Sequence, residues 1–293
     1  MKATPGISTA FVVTAAFFWG ISGGIGGILI SEGWSPLTLS IYRGGFGLVT
    51  ALIWLGLHPA RHGLASPRLW LWSALAGLGV AGNFTFYYIS IRNGSVAVAA
   101  TLMYCAPIFV YLVSFLLRLE KSTTYKWIGI GLVLVGIVLL TRLHEGQFTQ
   151  TSLIGLFAGL GSGVSYAVFI FSFKNASQNG SPPAILSIAF AVLILALIIP
   201  APSGQILETF MTPQWSGFLA LGIFGATLSF ALYIKGLKWA APAVASIVAM
   251  VEPVTASLFG VIILGETLLP LQIVGIALIL LTVTGLSVFP ARR

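Results

Sequence analysis

Two ionisable side chains stand inside stretches that are otherwise apolar, and both could bind or move charge. Glu252 is the one acid set deep in an apolar run, directly ahead of Pro253, and Arg43 is the one base set well inside another. A carboxylate at the centre of a bilayer costs roughly 2.5–3.5 kcal/mol on the insertion scale unless it is paired, hydrated or protonated. Three roles fit Glu252: a grip on a ligand amine, a proton exchanger, or a protonated and hydrogen-bonded structural residue. The charge of Arg43 must also be met. Its candidates are Glu252, freed helix carbonyls, or a ligand carboxylate held by two parallel hydrogen bonds, and the alternative is a structural arginine reaching the interface.

Aromatic and polar groups fall at similar depth in other apolar runs. Asn83 and Tyr87 lie one helical turn apart, Tyr104 precedes Pro107, and Trp19, Ser22, Tyr166, Ser162 and Ser246 sit near mid-run. Any one of them is explained by packing. Together they fit the wall of a cavity for a small amphipathic solute, because a tyrosine hydroxyl in hydrocarbon needs a polar or wet neighbour.

The elements that must position these groups are helices crossing a membrane. Mean hydropathy is +1.04, and 58% of the 293 residues are apolar while 7% are charged, against about a quarter charged in soluble domains. The apolar runs divide into ten spans, about 8-30, 35-57, 69-91, 95-117, 125-142, 152-174, 183-201, 215-238, 242-264 and 270-289. The first is long enough to span and is read as a retained helix rather than a cleaved signal. In it Gly20/Gly24 and Gly23/Gly27 form small-xxx-small pairs that let another backbone approach.

The chain also aligns with itself. Gly79, Phe84, Tyr87, Pro107, Glu120 and Gly129 fall on Gly225, Phe230, Tyr233, Pro253, Glu266 and Gly275 at a shift of 146, while Pro36 and Trp19 meet Pro183 and Tyr166 at 147. Each half, 1-143 and 144-293, is therefore one five-span unit. An odd number of spans per unit places the second upside down relative to the first, the arrangement found in many carriers. Pro107 and Pro253 occupy equivalent positions in spans 4 and 9, and each should kink or break its helix by removing a backbone donor. Matching interruptions near the midplane point to a binding site between the units. The symmetry fails where Tyr104 meets Met250, Ala106 meets Glu252 and Arg43 meets Phe190; selectivity is expected at such mismatches, so Met250 joins the candidate wall.

The net charge of +8 follows the membrane rather than nucleic acid. With a cytoplasmic N-terminus, the inner segments hold Lys2, Arg61, Arg68, Arg118, Lys121, Lys126, Lys174, Lys235, Lys238, Arg292 and Arg293, and the outer ones only Arg92 and Arg142. By the positive-inside rule both termini are expected in the cytoplasm of an inner-membrane protein. Catalytic readings are disfavoured: His58, His62 and His144 fall in loops, no aspartate occurs, and Cys105 is a lone cysteine, so no metal, cofactor or disulfide is expected. No phosphate-binding loop motif occurs either. A channel remains harder to separate from a carrier, since a pore needs polar groups too.

The ordered set of Trp19-Gly20, Pro36-Leu37-Thr38 with Tyr42-Arg43, Tyr233 to Trp239, Glu252-Pro253, Leu264-Gly265-Glu266 and Gln272 with Gly275 resembles the drug/metabolite transporter superfamily, in its ten-helix form with two EamA-type repeats. That resemblance implies an all-α fold of inverted repeats and export of small metabolites by alternating access. Within the superfamily it extends to YddG-like amino acid exporters, which implies neutral and aromatic amino acids as substrates; drugs or other metabolites are the alternative. Spans 1, 3, 4, 6, 8 and 9 are expected to line the site and spans 5 and 10 to be peripheral. Protons as a coupling ion and a monomeric working unit complete these expectations.

Overall fold

A computed structural model describes residues 5–57, 62–93, 96–119, 121–145, 152–209, 211–265 and 267–288. Lys2, His58, Arg61, Arg292 and Arg293, and the repeat pair Glu120 and Glu266, lie outside the described residues.

The chain is all-helical among those residues. In order the elements are α1 (Pro5–Ser31), α2 (Pro36–Leu57), α3 (Pro67–Arg92), α4 (Val96–Met103), α5 (Ala106–Leu116), α6 (Thr124–Leu140) and α7 (Leu153–Asn179). There follow α8 (Pro182–Leu197), α9 (Ser203–Glu208), α10 (Trp215–Gly222), a π-helical segment Ile223–Leu228, α11 (Ser229–Leu237), α12 (Pro242–Val248), α13 (Val251–Leu264) and α14 (Pro270–Val288). Seven helical stretches are long and apolar enough to cross a membrane, and Thr124–Leu140, Pro182–Leu197 and Pro270–Gly285 are shorter apolar helices. These coincide with the ten spans read from the sequence.

Local chemistry marks the ends. Proline opens α2, α3, α8, α12 and α14, where its missing N–H leaves no bond unmade. Thr123 and Ser152 cap α6 and α7 by accepting from Lys126 N and Gly155 N, and α13 stops at Gly265, whose φ of +70° suits glycine.

Both proline spans are broken two to four residues ahead of the proline, at Tyr104–Cys105 and at Ala249–Met250. In span 4, Cys105 N donates to Leu102 O at 3.2 Å; in span 9, Met250 N donates to Ile247 O at 3.0 Å. These tighter i→i+3 bonds absorb the interruption. A third irregularity was not legible beforehand: span 8 is α-helical at both ends and π-helical across Ile223–Leu228.

Packing interlocks the two halves. The most extensive contact joins α3 to α7, and α7 also packs on α4, while α1 packs on α11 and α13 and α2 on α8. Two bundles result, one of α3, α4 and α7, the other of α1, α11 and α13. Gly20 makes the second possible, since a Cβ there would stand 2.6 Å from Glu252 O and 3.0 Å from Ala256 N. Spans 5 and 10 pair with each other: a Cβ on Gly136 would lie 2.9 Å from Gly275 O, and one on Gly275 would lie 2.6 Å from Gly136 O. Such close backbone approach drives association where lipid supplies no hydrophobic force between helices.

Candidate functional site

A cavity of about 1270 Å³ lies between the bundles. It runs from the end of the molecule bearing Ser31–Pro36, Ile91, Leu140, Thr141, Pro202 and Gln205 down to Trp19, Phe169 and Phe230. At its mouth α9 is tied to the α1–α2 turn. Gln205 Oε1 accepts from Ser35 N at 2.8 Å, its Nε2 donates to Gly33 O at 3.0 Å, and the Tyr42 hydroxyl donates to Ile206 O.

Arg43 and Glu252 both line this cavity. Glu252 enters it from the first turn of α13, where the helix dipole favours negative charge. Arg43 enters from α2 and its guanidinium lies 4.1 Å from the Phe84 ring centroid, a stacking geometry that suits arginine. Its stem crosses the π-helical segment at Gly225, where a Cβ would stand 2.5 Å from Arg43 Cδ. Of the partners anticipated for Arg43, the aromatic face was not among them. No direct ion pair joins Arg43 to Glu252 among the described residues, so opposite charges from the two halves share one space without touching.

Trp19, Ser22, Asn83, Tyr87, Tyr104, Tyr166 and Pro253 also line the cavity. Trp19 Nε1, Ser22 Oγ and the Tyr166 hydroxyl are buried without a hydrogen-bond partner among the described residues. Buried polar atoms are seldom left so, and each is a place where water or a ligand atom would be stabilised. Asn83 is different: its Nδ2 donates to Ser162 O and Oγ at 3.1 and 3.0 Å, and Ser162 Oγ donates to Asn83 O at 2.9 Å, so it clamps α3 to α7.

Two residues expected in the wall stand apart. Met250 and Ser246 are fully buried behind the wall, with Ser246 Oγ donating to Ala243 O at 2.8 Å, because the break at Ala249–Met250 turns the next side chains, Glu252 and Pro253, toward the cavity instead. Pro107 shapes the break in span 4 and is buried outside the wall. The list of lining spans also needs correction. Span 2 contributes Pro36, Leu39, Ser40 and Arg43, and span 5 reaches the mouth through Leu140 and Thr141.

Sequence reasoning missed Phe84, Phe230 and Gln205. The two phenylalanines were already matched in the self-alignment, so the symmetry signal was available for them. Gln205 carried no such signal.

The floor is aromatic. Trp19 packs on Phe230 and Tyr233 at 5.0 and 4.9 Å between ring centroids, and Phe169 packs on Tyr166 and Phe173 at 4.4 and 6.0 Å. Below it, Lys174 Nζ donates to the carbonyls of Leu237, Lys238 and Ala240 at 2.8, 2.9 and 2.8 Å. The cavity thus runs from its mouth at one end to the aromatic floor at the other, with the Lys174 contacts below that floor.

Comparison with known proteins accords with this architecture. The chain is 27% identical over 98% of its length, and 96% of the relative's, to the uncharacterized transporter YwfM of Bacillus subtilis (strain 168). It is 29% identical to the uncharacterized inner membrane transporter YedA of Escherichia coli (strain K12), covering 89% of this chain and 86% of that one. Against the threonine/homoserine exporter RhtA of the same strain it is 26% identical, covering 71% of this chain and 68% of the other. A solved crystal structure superposes with a TM-score of 0.78 over 94% of this chain and 95% of that chain at 21% identity, a likeness of fold alone. The family described as the EamA-like transporter family matches residues 6–142 and again residues 153–288, and this multi-pass membrane protein belongs to it.

Proposed function

We propose that the protein exports small zwitterionic solutes, amino acids above all, by alternating access around the cavity between the bundles. The observation that carries this reading is the pairing of Arg43 and Glu252 in one cavity without a direct ion pair. An α-amino acid brings the complementary charges, a carboxylate for the guanidinium and an ammonium for the carboxylate. Substrate would then supply each ion with the direct charged contact that the two do not make with each other, which favours loading before the bundles move. The apolar and aromatic wall of Trp19, Phe84, Tyr87 and Tyr104 suits neutral side chains, aromatic ones included. The name of RhtA as an exporter of threonine and homoserine supports the amino acid class.

In this reading the sealed end, with Lys174, Lys235 and Lys238, faces the cytoplasm of the inner membrane, as do the termini, and the open end faces outward. Among the described residues Glu252 is the one carboxylate in the cavity wall, so it is the group through which a proton gradient would act. The reading is of transport by a single chain, with no catalysis and no cofactor. A broader metabolite or drug exporter is the second reading, favoured by the volume and the mostly apolar wall.

Proteoliposomes offered labelled amino acids, decarboxylated amines and cationic drugs, with and without a pH gradient, separate these. Saturable flux of amino acids, stimulated by the same solute on the opposite side, is the expected result. Flux of drugs alone would move the protein to the second reading, and currents far above carrier turnover would make it a channel.

A further inference from the structure

We infer that Lys174 is a gating residue: its ammonium latches the α11–α12 junction and holds the sealed end of the cavity shut. The inference concerns how the alternating-access reading is biased, and it rests on that reading.

The latch crosses between the two bundles. Lys174 lies on α7, which packs with α3 and α4, whereas Leu237 ends α11, which packs with α1, and Lys238 and Ala240 lead from it toward α12. Three carbonyls at 2.8–2.9 Å satisfy all three N–H groups of an ammonium. The carbonyls of Leu237 and Lys238 are among those the C-terminus of α11 leaves unpaired, where the dipole also favours positive charge, and Ala240 adds one from the connection to α12. Two flanking bonds converge on the same turn: Gln178 Nε2 donates to Lys238 O at 3.0 Å, and Ser8 Oγ donates to Gly236 O at 2.7 Å. Of the three donors, Lys174 and Gln178 reach it from the opposite bundle, and Ser8 comes from α1 on its own side.

The repeat symmetry shows what happens without a latch. At the shift of 147 that pairs Trp19 with Tyr166 and Pro36 with Pro183, Lys174 falls on Gly27. The carbonyls of Leu237 and Lys238 correspond, at the shift of 146, to those of Ile91 and Arg92. Gly27 and Ile91 both line the open mouth, and a Cβ added at Gly27 would meet nothing within 4 Å. Glycine has no donor with which to close that end. One duplicated architecture therefore carries a polar latch at one end and a gap at the other, and the resting protein opens where the gap is.

The Tyr233 hydroxyl, in the aromatic floor but outside the cavity wall, is buried without a partner among the described residues. Opening the sealed end would hydrate it, so the floor favours opening there and the latch opposes it.

Pulsed electron spin resonance on the full chain in liposomes tests this. In a Cys105→Ser background, spin labels at the exposed positions Ile7 and Leu71 report the sealed end across the bundles, and labels at Glu32 and Leu153 report the open end. The unsubstituted lysine should give one short distance at the sealed end. Lys174→Met removes all three donors and should add a longer-distance population there of comparable size, with a matching shorter one at the open end. Lys174→Gln, which keeps part of the bonding, should give a smaller shift and covers the case in which the methionine variant does not fold. Distance distributions at both ends that superimpose on the unsubstituted protein would overturn the latch. Because the readout needs no substrate, a shifted distribution without amino acid flux would uphold the latch and sink the substrate reading, so the two fail separately.

Discussion

Spans 4 and 9 break at equivalent places and do different work. The first reads Tyr104-Cys105-Ala106-Pro107 and the second Met250-Val251-Glu252-Pro253, and both tighten into i→i+3 bonds ahead of the proline. In the first, the tyrosine lines the cavity and Ala106 is fully buried; in the second, Met250 is fully buried and the glutamate lines the cavity. Duplication preserved the backbone device, since proline imposes it on either copy. It did not preserve which side chain faces the cavity, and the cavity wall became chemically one-sided.

That asymmetry can be broken by making the two spans alike. Ala106→Glu gives span 4 the missing acid at a position with no exposure, where the charge finds neither water nor partner. Destabilisation of about 3 kcal/mol is expected, read as an early thermal unfolding transition in detergent; an unaltered transition would mean that span 4 has a polar face after all. Next in size, Glu252→Gln keeps the shape and removes the charge. A fall of about 30-fold in kcat/KM for amino acids is expected, roughly 2 kcal/mol of lost binding to the ammonium, together with a flattened pH profile of transport.

Arg43 sharpens the comparison from the opposite wall. Lysine cannot reproduce a planar fork stacked on Phe84, so Arg43→Lys should raise KM for amino acids about 10-fold with kcat little changed. Amines lacking the carboxylate should transport as before, and an equal loss for both would assign Arg43 to structure. Tyr104→Phe deletes one hydroxyl from the wall and is expected to change KM by about 3-fold, within the 0.5–1.5 kcal/mol of a single hydrogen bond. Its counterpart Met250→Leu, behind the wall, should change transport by less than about 2-fold, because the swap conserves volume.

Much of the fold was legible because apolar run length and Pro107/Pro253 act locally. The candidate wall was legible for Trp19, Tyr87, Tyr104, Tyr166 and Glu252, where a polar or amphipathic group stands in hydrocarbon and its cost demands a neighbour. Ser246 and Met250 were misplaced toward the wall because depth along a helix is readable from sequence and facing direction through a broken helix is not. The π-helical turn at Ile223–Leu228 escaped for a similar reason. It arises where Gly222, Gly225 and Ala226 meet Phe46, Arg43 and Gly47 of α2, and no feature of span 8 alone announces that contact.

By itself the sequence determined that this chain lives in a membrane, that it is two copies of one unit, and that a buried acid and base break the symmetry between them. Composition, period and the energetic cost of charge in lipid are properties of a chain before it folds. Only the tertiary structure decided that Arg43 would rest on Phe84 rather than on Glu252, and that Lys174 would spend its charge on three carbonyls of α11–α12. Those choices depend on which helices touch, and at what rotation, and residues far apart in the chain settle them together through packing.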